Sequence, residues 1–126
     1  MRLTLRDELP FVTVAVLHHG VTAQVPDVLV DAGSASTLLN ADVAASLGIV
    51  PEASDRLRTL RGVGGREVVF TRHMDRFEVG SKGLTRFEVE IGGMDYGFAI
   101  NGILGMDFLA STGAVLNLRD LTLDYL

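Results

Sequence analysis

The chain has 126 residues, 48% of them hydrophobic, and 16 acidic against 11 basic side chains give a formal net charge of −5. That length suits one domain, 1–126, able to bury a core. The composition and a mean hydropathy of +0.33 argue against disorder, and the acidic balance is the wrong sign for a nucleic-acid footprint. With no cysteine, disulfides and thiolate metal sites are excluded, and three histidines, two of them adjacent, are a poor basis for a metal site.

Met1 to Glu8 is too charged for a signal peptide. No apolar stretch approaches the ~18–20 residues that span a bilayer. A soluble, cytoplasmic chain with no membrane contact is expected. Phe11 to Leu17 is rich in β-branched residues and predicts a strand. His18-His19-Gly20 makes its turn, with both histidines facing water, and Val21 to Val25 returns as the second arm of a hairpin. Pro26-Asp27 then breaks the ladder before a short strand, Val28 to Val30.

That strand runs straight into Asp31-Ala32-Gly33-Ser34, after which a second apolar run begins at Leu38. An ionised carboxylate next to buried Val and Leu is costly unless it is hydrogen-bonded. Gly33 lets the backbone fold in close, and its N–H, with the N–H and hydroxyl of Ser34, are candidate donors. The same pattern also suits ordinary turn chemistry, in which an aspartate bonds the backbone two residues on. Both a working acid and a plain turn fit the stretch taken alone.

A short helix follows, with Asn40 as N-cap, Asp42 in the first turn and Gly48 at its end; Val43, Ala44 and Leu47 share the inward face. Pro51 to Asp55 is a loop. Leu57 to Phe70 reads as strand, glycine-rich tip, strand, with Gly62, Val63, Gly64 and Gly65 at the tip. A phosphate cradle of the G-x-G-x-x-G type is excluded because Glu67 stands at the third glycine position and no helix follows.

His73 to Val79 and Thr85 to Ile91 predict two more strands. In the second, Arg86, Glu88 and Glu90 alternate with Phe87, Val89 and Ile91, which reads as one solvated and one buried face. Phe98 to Leu109 then repeats the earlier logic of an apolar strand meeting glycine. Ile103-Leu104-Gly105 is narrow enough to thread between other strands, and Asp107 is expected to cap the helical turn that begins at Phe108. Ala114 to Leu118 and Leu121 to Leu126 form a terminal hairpin whose last strand is an apolar edge in want of a partner.

Three of these features together resemble the retropepsin-like, single-domain aspartic proteases, including bacterial relatives. Leu29-Val30-Asp31-Ala32-Gly33-Ser34 is similar to the family's apolar-apolar-Asp-Thr/Ser-Gly signature. The hairpin tip Gly62–Gly65 looks like its substrate-binding flap, about residues 57–72. Gly102 to Leu109, with Ile103, Leu104 and Gly105, is similar to the apolar-apolar-Gly element and following helix. The resemblance implies an all-β acid-protease fold, a closed barrel of short strands with a flap hairpin and one or two short helices. It implies Asp31 as the catalytic residue, flanked by the loop residues Ala32, Gly33 and Ser34, with no metal and no cofactor.

With one Asp-x-Gly per chain, it also implies a homodimer in which two Asp31 side chains share a proton and activate a water against a peptide or protein substrate. One position departs from the pattern. Ala32 stands where relatives carry Thr or Ser, whose hydroxyl bonds the partner's backbone across the dimer axis. The departure implies a weaker dimer, and it keeps open a catalytically silent barrel that binds peptides or only dimerises.

Overall fold

The computed structural model describes residues 1–62, 65–93 and 99–126, with the side chains of 60–62 and 65–67 outside the description. Of the hairpin tip, Val63 and Gly64 therefore lie outside the described residues. No helix of the described chain is long and apolar enough to cross a membrane.

The sheet is built from β1 (Thr4–Arg6), β2 (Leu9–His18), β3 (Val21–Val30), β4 (Leu38–Asn40), β5 (Leu57–Gly62), β6 (Gly65–Val79), β7 (Lys82–Gly92) and β8 (Gly102–Leu104). Helix α1 (Ala41–Ser46) follows β4. Helix α2 (Met106–Thr112) follows β8, and a separate ribbon of β9 (Ala114–Asn117) and β10 (Thr122–Tyr125) ends the chain. Eight strands order as β1-β2-β3-β8-β4-β7-β6-β5, and an additional pairing of β2 with β6 closes the sheet into a ring. The architecture is all-β with two short helices, as the resemblance implies.

Local chemistry explains most turns. His19 and Gly20 both take positive φ (48° and 78°) between β2 and β3, the two-residue hairpin geometry that matches strand twist. Asn40 accepts a hydrogen bond from the Asp42 N–H at 2.8 Å and starts α1, while Gly48 takes φ 82° just past its end. Ala44 is fully buried, with Val43 and Leu47 packed beside it, as the spacing predicts.

The main core gathers Val14, Val16, Met74, Phe77, Val89, Ile91, Leu104 and Phe108 inside the ring. Phe77, Phe87 and Phe108 meet with ring centroids 5.2 to 5.8 Å apart, which fastens α2 to β6 and β7. Burying the Phe108 side chain contributes about 1.5–3 kcal/mol by itself. A smaller cluster, Phe11, Leu38, Val69, Ile100 and Ile103, with Leu9 and Leu29 against it, lies on the other face of the same strands.

Four expectations change. Pro26-Asp27 does not end a strand: β3 continues to Val30, and the break becomes a bulge, with the register shifting between Val12 and Val14 and Asp27 at φ 57°. His18 is 7% exposed rather than facing water, its ring stacked on His19 at 4.0 Å, and burial holds its pKa below the usual 6.5. Glu90 is 2% exposed and not on a solvated face. The last strand is not an open edge either. β10 pairs with β9 on one side, and Leu3 N–H to Leu121 O (2.8 Å) and Leu123 N–H to Met1 O (2.9 Å) cover the other.

Candidate active site

Asp31 stands one residue past the end of β3, where Val28 and Val30 point into the main core and Leu29 points to the smaller cluster. Its backbone N–H extends the ladder by donating to Leu104 O at 3.0 Å. The side chain is half-buried. Oδ1 accepts the Gly33 N–H at 2.8 Å, and Oδ2 carries no hydrogen bond among the described residues. A Cβ at position 33 would lie 3.1 Å from that Oδ1, so the glycine permits the close approach.

Of the expected donors to the carboxylate, Gly33 alone serves. The Ser34 N–H donates to the Asp31 carbonyl at 3.1 Å and the Ser34 hydroxyl to the Ser36 carbonyl at 2.8 Å. The loop is thus a turn with internal bonds, and it leaves one face of the carboxylate open.

Beneath this loop runs the second segment. β8 pairs parallel with β3 (Leu29 with Ile103, Val30 with Leu104) and antiparallel with β4 (Leu38 with Ile103), the threading that the narrow Ile103-Leu104-Gly105 run predicts. Gly105 tolerates no side chain, because a Cβ there would collide with the Ser36 carbonyl. At Gly102 the clash would be with Leu38 O at 2.6 Å.

From Gly105 onward the segment is tied to the loop bond by bond. Gly105 N–H donates to Thr37 Oγ1 at 3.1 Å, Met106 N–H to Ser34 O at 2.8 Å, and Asp107 N–H to Ala35 O at 3.2 Å. Asp107 is not the cap of α2. Gly105 holds that position without a side-chain bond, and the Asp107 carboxylate turns back to Thr37. Thr37, fully buried, was not singled out in the sequence; a threonine among Ser, Ala and Leu carries no spacing signal of its own.

A family model described as Aspartyl protease matches residues 12–108, a span that holds both the Asp31 loop and the Gly105 segment. The chain belongs to the retropepsin-like aspartyl protease family. A search of curated proteins finds no match. In this aspartyl protease family member, Ala32 is exposed beside Asp31 and lines an apolar cavity of about 210 Å³ with Met106, Leu109, Ala110, Ala114 and Leu116. The family's hydroxyl is absent there, and the surface next to the carboxylate is correspondingly apolar. No cluster of three metal-ligating side chains occurs among the described residues.

Proposed function

We propose that the protein is a homodimeric aspartic endopeptidase whose site is completed by Asp31 from each of two copies. The observation that carries this is a half-exposed carboxylate with one unbonded oxygen, mounted on a loop threaded by Gly105, in a chain of the aspartyl protease family. Two such carboxylates facing each other cannot both ionise, so they share one proton. The ionised member takes a proton from a water held between them, and the resulting hydroxide equivalent attacks the peptide carbonyl carbon. The protonated member donates a hydrogen bond to the carbonyl oxygen, and its proton passes on to the leaving amine. Substrate binds extended, by main-chain hydrogen bonds of the strand-addition kind, beneath the β5–β6 hairpin acting as a flap.

The apolar cavity beside Ala32, and a β9 strand that pairs on one side only among the described residues, support a second copy docking at this end of the molecule. Incubation with a panel of unfolded proteins from acidic to neutral pH, with and without a pepstatin-type inhibitor, tests the activity. Inhibitor-sensitive cleavage that Asp31→Asn abolishes is expected; cleavage undiminished in that variant overturns the proposal.

Ala32 favours a second reading, a silent barrel that binds peptides or only self-associates. Sedimentation at micromolar concentration separates the two, since a persistent monomer cannot assemble a dyad.

A further inference from the structure

Registered neighbours form one continuous row across the ring on the face that carries Leu29. Phe11, Leu29, Ile103, Leu38, Glu90 and Thr71 stand opposite one another from β2 through β3, β8, β4 and β7 to β6. Directly opposed residues place their side chains on the same face, and Asp31 follows Leu29 by two residues, the spacing that returns to that face. The row is therefore the wall of side chains that leads away from the carboxylate. Its first four members are apolar. Then comes a buried acid.

Glu90 accepts a hydrogen bond from Arg58 Nη1 through Oε1 at 2.9 Å, while Oε2 is buried with no partner among the described residues. An ionised carboxylate buried with one oxygen unsatisfied is an unfavourable arrangement for folding alone. Arg58 sits in the β5 stem, opposite Val69 of the smaller cluster, and its side chain is 53% exposed. It has a second carboxylate within reach, Glu88 Oε1 at 3.7 Å. Glu88 gives the guanidinium a second place to pair, so a cation arriving at Glu90 takes over from Arg58 without leaving the buried carboxylate unpaired.

We propose that Glu90 is a specificity-determining residue, the base of a subsite that takes a lysine or arginine side chain of the bound peptide, with Arg58 holding the place of that cation when no substrate is present. An ammonium or guanidinium donating to Oε2 supplies the bond that is missing, and an arginine can do so with two parallel bonds. Neighbouring strands lie about 4.8 Å apart, so Glu90 is at most roughly 14 Å from Leu29 along the sheet and nearer across its curl.

The inference rests on the endopeptidase reading, and one experiment separates their failures. A peptide library made by digesting a whole proteome is incubated with the wild-type protein, Glu90→Gln and Glu90→Leu, and the cleaved sites are sequenced by mass spectrometry. The expected wild-type profile is enriched in Lys and Arg at one position, and that enrichment falls about tenfold in both variants. If wild type cleaves nothing, the endopeptidase reading fails and takes the subsite with it. If wild type cleaves without basic enrichment, or the variants keep it, the subsite alone fails. Loss of all cleavage in both variants, with wild-type circular dichroism, would make Glu90 a positioning residue of the β5 stem and overturn the specificity proposal. Should Glu90→Leu not fold, the near-isosteric Glu90→Gln decides the outcome.

Discussion

The carboxylate of Asp107 takes both donors of Thr37, the hydroxyl at 2.6 Å and the backbone N–H at 3.1 Å, across 70 residues of sequence. It also accepts the Phe108 N–H at 2.8 Å, while the Thr37 hydroxyl accepts from Gly105. A helix start, a strand start and the Asp31 loop are thereby held by two side chains.

Replacing Thr37 by Val removes the hydroxyl's bonds and strands the buried Gly105 N–H. Each such loss costs about 1–3 kcal/mol, so Thr37→Val is expected to lower stability by about 2–4 kcal/mol in urea denaturation. Thr37→Ser keeps the hydroxyl and is expected to lose less than about 1.5 kcal/mol. Equal losses in the two variants would show that the hydroxyl is not the active part.

Gly105 is a test of space rather than of backbone angle. A Cβ there meets the Ser36 carbonyl, and the loop that would have to move carries Asp31. Gly105→Ala is expected to destabilise the fold by at least about 2–3 kcal/mol and to abolish peptide cleavage. Unchanged thermal unfolding would mean that the threading is looser than described.

Asp55 tests acid sensitivity. Hydrogen bonds from the Arg72 side chain hold its carboxyl below the usual 3.8, with Arg72 Nη2 at 2.8 Å and Nε at 3.1 Å. A carboxyl whose folded value is lowered adds stability above its unfolded value, and the contribution disappears as pH falls through the folded one. The melting-temperature gap between wild type and Asp55→Asn is therefore expected to be constant from pH 5 to pH 8 and to shrink below about pH 4. A gap that stays level into acid would show that the charge is not what binds loop and strand.

Ala32→Thr restores the hydroxyl that the family places beside its acid. If the protein dimerises as proposed, one bond per copy, each worth about 0.5–1.5 kcal/mol and doubled by symmetry, is expected to raise dimer affinity by roughly one to two orders of magnitude. Sedimentation equilibrium reads this directly. No change in association or turnover would show that position 32 does not bear on the interface.

Where chemistry is local, the sequence was legible. The Asn40 cap, the Gly48 end, the His19-Gly20 turn and the close approach at Gly33 follow from residue type and immediate neighbours. Alternation identified which residues of β7 share a face but not that a face is covered. In a sheet that curls on itself, Glu90 lies under Arg58 from a strand more than thirty positions away. Asp107 misled for the same reason: an acid in a first helical turn is normally read as local, and its partner is Thr37. Strand β1 went unread because Asp7 and Glu8 make its turn at positive φ without a glycine to announce it.

The parallel pairing of β3 with β8 means that Asp31 is made well before the segment that seats it. Until the Gly105 stretch has left the ribosome, the loop lacks the bonds to Leu104, Gly105, Met106 and Asp107 that hold it. The loop that carries the acid gains its rigidity from a segment made after it, so its order is a late product of folding.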